Sequence, residues 1–182
     1  MAAPFRPTPA QLVAARSLTL PDVIAKGLRV LFVGINPGLY SAAVGHNFGR
    51  PGNRFWPTLA RSEFTPRQLS PFDEQQLIAL GLGITNLVER ATARADELSR
   101  EELLAGGARL EHKVRAMKPR AVAVLGVSAY RLAFAQPRAK LGQQPAPFGG
   151  ALLWVLPNPS GLNAHHQLPD LARLFAELRE AL

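Results

Sequence analysis

The chain has 182 residues, 47% of them hydrophobic, with a formal net charge of +8 and no cysteine. That length suits one domain with a sizeable core. The missing thiols exclude disulfides, zinc–thiolate sites and cysteine-held iron–sulfur clusters, and they suit a reducing, cytoplasmic setting. The basic balance favours a polyanionic partner, nucleic acid first. No apolar run reaches the ~18 residues of a membrane span, and MAAPFRPTPA carries prolines where a secretory signal needs an apolar stretch.

Residues 1–20 contain several prolines and little periodicity, so a weakly structured N-terminal extension is expected before a single domain over 21–182. PDVIAKG (21–27) reads as a short helix, with Pro21 in its first turn and Gly27 beyond its end. LRVLFVG (28–34) is a near-continuous apolar run, the mark of a strand covered on both faces of a parallel sheet. A Gly-rich loop follows over 39–52. Asn53 then reads as an N-cap for a helix that Pro57 keeps short or kinked. FDEQQLIALG (72–81) reads as a helix and GITNLV (83–88) as a second strand. ERATARADEL (89–98) is a polar loop, after which Ser99 and Glu102 form a capping box for a helix reaching Lys118.

RAVAVLG (120–126) is the third strand and SAYRLAFA (128–135) the next helix, with Ser128 as its cap. Residues 136–150, rich in Pro, Gly and Gln, read as a surface loop. ALLWVLP (151–157) is the fourth strand, and a final helix starts near Pro169. Strands alternating with helices predict a three-layer α/β/α sandwich on a short, mainly parallel four-stranded sheet. In such sheets ligands bind beyond the carboxyl ends of the strands. GINPG (34–38) and NPSGLN (158–163) each follow a strand, so both are expected at one site. Each supplies a carboxamide, a glycine and a rigid proline, and neither supplies a strong acid, a thiol or a metal ligand.

GINPG, GHNFGRPGNRFWPTL (45–59), GITNLVERAT (83–92) and NPSGLN together resemble the mismatch-specific uracil-DNA glycosylase and thymine-DNA glycosylase branch of the uracil-DNA glycosylase superfamily. The resemblance runs from about Gly27 to the end. It implies an enzyme that flips uracil, mispaired with guanine, out of double-stranded DNA and hydrolyses its bond to deoxyribose. It implies that Asn36 holds the attacking water. Gly34, Ile35, Phe48 and Asn158 would form the base pocket, with the Phe48 ring stacking on the base. Leu162 would fill the gap the base leaves, with backbone groups of Gly161 and Asn163 facing the orphaned guanine. No metal or other cofactor is implied, and a monomer is expected.

The chemistry is consistent with that assignment. Glycosidic cleavage passes through an oxocarbenium-like state, and backbone N–H groups held by Pro37 and Gly38 are suited to the charge on departing uracil. Classical uracil enzymes carry a bulky Tyr in the first motif, and Gly38 stands here instead, so some C5-substituted pyrimidines are expected as substrates. No Lys lies in either motif, so no lyase step is expected. Three departures stand out: Asn163-Ala164 after the wedge leucine where Ser-Arg is frequent, Asn86 where a lysine is frequent, and Asp96 where a neutral residue is common. Asp96 is a candidate auxiliary catalytic carboxylate, against the alternative of a surface Asp capping its turn.

Plainer roles compete with each assignment. Asn36 fits any Pro–Gly turn, Phe48 and Leu162 fit a core, and His165 and His166 fit phosphate contact or exposure better than a metal site. Two other readings of the whole chain are a non-catalytic mismatch-binding module on the same scaffold and a small-molecule α/β hydrolase. The first would bind without releasing base, and the second would show no salt-dependent DNA binding.

Overall fold

The computed structural model describes residues 5–182. Four strands, β1 (Val30–Gly34), β2 (Leu82–Asn86), β3 (Ala121–Leu125) and β5 (Leu152–Leu156), run parallel in the order β2-β1-β3-β5. The expected four-stranded sheet needs one correction. A fifth strand, β4 (Gly142–Gln143), pairs antiparallel with the outer edge of β5, inside the segment read as a loop. Two residues without apolar alternation carry no strand signal.

The sheet is covered on both faces. Alternation along β1 sends Val30 and Phe32 to one cluster and Leu31 and Val33 to the other. On the first face, Phe32 meets Phe55 and Phe64 edge-on at 5.5 and 5.4 Å and stacks on Phe175 at 5.7 Å. Phe55 belongs to α3 (Phe55–Arg61) and Phe175 to α7 (Leu168–Glu180). The opposite face is covered by α5 (Arg100–Met117), which carries the expected Ser99/Glu102 capping box, and by α6 (Val127–Ala133). A Cβ on Gly106 would lie 2.4 Å from the Leu87 carbonyl oxygen, so glycine is what lets α5 approach the exit of β2.

Local expectations fail where tertiary contacts outweigh propensity. Residues 21–27 form no helix. Val23 bridges to Ile84, and Asp22 accepts hydrogen bonds from Thr85 and Lys113, which pins the segment as an extended edge. The 72–81 helix shrinks to a 3₁₀ turn (Pro71–Asp73) and α4 (Gln76–Ala79). Gly126, not Ser128, precedes α6. Pro57 falls in the first turn of α3, where its missing N–H costs nothing. Within the expected N-terminal extension, α1 (Pro9–Ala14) is closed by a Thr8/Gln11 capping box, and Ala15 beside it is fully buried against α2 (Leu39–Val44). Residues 1–4 of that extension lie outside the described residues.

The order places β1 between β2 and β3, and the chain leaves β1 toward β2 before returning to the other side. That reversal opens a crevice at the carboxyl ends, where open α/β sheets bind ligands.

Candidate active site

A cleft of about 470 Å³ occupies this crevice. Its walls include Gly34, Ile35, Asn36, Phe48, Asn158, Leu162 and Asn163, so both strand-end motifs meet there as expected. Asp96 also lines it. Gly161, the remaining expected residue, sits in the same turn as Leu162.

Three carboxamides come from three strand ends, and each is held by a partner that fixes its orientation. After β1, Asn36 donates through Nδ2 to the Arg90 carbonyl oxygen and to the Thr92 hydroxyl, both at 2.8 Å. A carbonyl oxygen only accepts, so Nδ2 must face it and Asn36 Oδ1 is left as a free acceptor in the cleft. The Thr92 hydroxyl donates onward to the Arg94 carbonyl oxygen at 2.7 Å. After β5, the Ser160 N–H donates to Asn158 Oδ1 at 3.0 Å, which leaves the Asn158 NH₂ as the free donor. At the end of β2, Asn86 donates through Nδ2 to Asn47 Oδ1 at 3.2 Å. Asn86 stands in register beside Gly34, and a Cβ on Gly34 would come within 2.5 Å of Asn86 Oδ1. Glycine at 34 therefore keeps space for that oxygen.

Phe48 stacks on Phe55 at 4.1 Å between ring centres while lining the cleft, in a left-handed conformation at φ 51°. The sequence left it little to pack on. The structure gives it a core neighbour, so it is a cleft wall built on the core. The Trp56 indole N–H donates to its carbonyl at 3.3 Å.

Leu162 is 74% exposed at the tip of a turn closed by Asn163 N–H to the Ser160 carbonyl. Arg54 holds this loop from below, donating to the carbonyl oxygens of Ser160, Asn163 and His166. The Asn163 side chain bonds Asn158 O and the His165 N–H. Both Asn163 backbone groups are therefore engaged within the protein, while the Gly161 groups make no hydrogen bond to a described residue. Of the two residues expected to face the orphaned base, Gly161 therefore has the less engaged backbone.

Asp96 lies in a 3₁₀ turn (Ala95–Glu97), 62% exposed and ion-paired with Arg94. It does not cap that turn. The carboxylate that closes the turn is that of Glu97, which accepts from the N–H of the N-cap residue Arg94 at 2.9 Å and pairs with Arg16 at 3.0 Å. These bonds hold the Glu97 carboxyl below its ordinary range, the Arg16 hydrogen bond most. The loop is fastened again by Arg90, which pairs with Glu102 at 2.8 Å and not with its neighbour Glu89. The Arg90 hydrogen bond, aided by the Ser99 N–H, lowers the Glu102 pKa to about 2.

Sequence reasoning missed Thr92, Arg54, Asn47 and Glu74, which act through other residues. Arg54 had a signal in its place within NRFW. Glu74 had none, since its helix is not the one the pattern suggests. Among the described residues no group of three His, Cys, Asp or Glu side chains gathers to hold a metal, and no helix is long and apolar enough to cross a membrane. A family model for the uracil DNA glycosylase superfamily matches residues 21–182.

Proposed function

Given that the chain belongs to the uracil DNA glycosylase superfamily and is thereby a DNA glycosylase, we propose that it is a monofunctional, mismatch-specific enzyme. It removes uracil paired with guanine in double-stranded DNA. The observation that carries this reading is the trio of oriented carboxamides at three strand ends, facing one cleft with an exposed leucine at its rim.

Asn36 Oδ1 accepts a hydrogen from a water and aims its lone pair at the sugar carbon. An amide orients that water without deprotonating it, so the rate rests on positioning and on leaving-group stabilisation. Asn158 supplies an N–H donor for the charge gathering on departing uracil. Asn86 Oδ1 accepts from the base N3–H, and the second Nδ2 hydrogen of Asn86 donates to O4. Phe48 supports the flipped ring. Leu162 takes the vacated place in the stack, as apolar wedges do. No lysine lines the cleft among the described residues, which supports hydrolysis without strand cleavage. A Cβ on Gly38 meets nothing within 4 Å, and this open space supports tolerance of C5 substituents.

The test is a panel of duplexes carrying uracil, thymine or modified cytosine opposite guanine or adenine, with single strands alongside. Fastest release of free uracil from the G·U duplex, leaving an alkali-labile site, is the expected result. Salt-sensitive binding without base release would make the chain a binding module instead.

A further inference from the structure

We propose that Asn47, a buried residue in the cleft wall, and Glu74, buried behind it, are positioning residues that set base selectivity by fixing which end of the Asn86 amide faces the base. This rests on the reading of Asn86 given above.

Glu74 is a carboxylate only 4% exposed, and Asn47 is 3% exposed. Glu74 Oε2 accepts from the Asn47 backbone N–H at 3.0 Å and from Asn47 Nδ2 at 3.2 Å. Its other oxygen lies 3.0 Å from His46 Nδ1. Asn47 Nδ2 also reaches the Pro21 carbonyl oxygen at 3.4 Å. Both partners of Nδ2 are oxygens that accept, so the Asn47 amide has one satisfied orientation. Its Oδ1 then faces Asn86, which must answer with Nδ2. The choice passes along the chain, and Asn86 Oδ1 is left beside Gly34 as an acceptor.

That polarity discriminates between bases. Uracil offers a donor at N3 and an acceptor at O4, whereas cytosine offers an acceptor at N3 and a donor at N4. An Asn86 amide held as described pairs with the first pattern and opposes the second. A freely rotating Asn86 would serve both, since its two ends are nearly equal in size. Burying Glu74 is costly unless its oxygens are satisfied, and the same hydrogen bonds that satisfy it transmit the orientation.

The test measures affinity, so that it does not depend on cytosine being a workable leaving group. Duplexes carry uracil or cytosine on a 2′-fluoroarabino sugar, whose fluorine opposes the oxocarbenium state and preserves the bond. Each target sits opposite an abasic analogue, so neither base is paired. The wild-type protein is expected to bind the uracil duplex at least ~10-fold tighter than the cytosine duplex, the discrimination of a site whose polar groups would otherwise be unpaired.

In Asn47→Ala and Glu74→Leu the ratio should fall to within ~3-fold. Glu74→Gln should restore it, because its oxygen can still accept from Asn47 while its NH₂ faces His46. Circular dichroism checks folding, and whichever of the two disrupting variants folds decides the matter. An unchanged ratio in that variant, or a ratio lost equally in Glu74→Gln, overturns the proposal. An unchanged ratio in Asn86→Ala overturns the base-reading role of Asn86 as well. Wild-type uracil release from an ordinary G·U duplex is scored separately, so failure of the enzyme assignment is distinguishable from failure of the selectivity device.

Discussion

Asn36 donates to the Thr92 hydroxyl at 2.8 Å, although the two residues lie on different strand-end loops. Thr92 is almost wholly buried and passes its own hydrogen to Arg94 O, so the hydroxyl has a fixed polarity. Thr92→Val keeps the shape and removes the acceptor. Asn36 then holds its orientation through Arg90 O alone. Single-turnover uracil release is expected to fall about 10-fold, the scale of losing an orienting partner behind a functional group. Duplex affinity should stay unchanged, because phosphate contacts dominate it. Parallel rate and binding measurements check both.

The wedge turn and its clamp are separable. Leu162→Ala should slow processing of duplex, because the wedge offsets an unstacking cost of a few kcal/mol, and should speed product release. Arg54→Lys keeps the charge but loses the fork that reaches three carbonyl oxygens. It should reduce the duplex rate by roughly 10-fold while leaving single-stranded uracil nearly unaffected, since only duplex requires a wedge. The readout is the duplex to single-strand ratio under single turnover.

Asp96 shares the cleft with Asn36 and leaves turn capping to Glu97. Its remaining partner is the exposed Arg94. Asp96→Asn is expected to lower uracil release about 10-fold with binding intact, the scale of a lost carboxylate that steadies the oxocarbenium charge. An unchanged rate across a pH series would leave Asp96 as no more than the partner of Arg94.

Acid should loosen the loop that carries Arg90 and Thr92. The Glu102 carboxyl is held at about 2, well below its ordinary 4.5, chiefly by Arg90. A depressed folded-state value means the contribution is present above pH 4.5 and fades as pH falls toward 2. Denaturant midpoints at the two ends of that window should differ more for the wild-type chain than for Glu102→Gln. The difference should shrink in high salt, because the pair is solvent-exposed.

The layered fold was legible because its signals are long. Apolar runs at 28–34, 120–126 and 151–157, and the Ser99/Glu102 box, each exceed what a loop produces by chance. The places of Asn36, Asn158 and Leu162 in the cleft were legible because their motifs follow β1 and β5, and that of Phe48 because it is an aromatic set in a Gly-rich polar loop. Residues 21–27 misled because Pro and Gly mark a helix locally, whereas Val23 and Asp22 are claimed by β2 and α5. Strand β4 is too short to show a period. The supports of the site, Thr92, Arg54, Asn47 and Glu74, are set by contacts across many residues of sequence, such as the 54 between Asn36 and Arg90. No local pattern encodes those contacts.

On the proposed function, an oriented Asn36 drives uracil release from a G·U duplex without a strong base. The most direct measurement is single-turnover release of free uracil by the wild-type chain and by Asn36→Ala, at protein concentrations saturating for both. Uracil release by the wild type is expected, with a rate ~10- to 1,000-fold lower for Asn36→Ala, the range for losing one positioning group, and equal duplex affinity. A wild-type rate in Asn36→Ala, or no uracil released by the wild type, would contradict that reading.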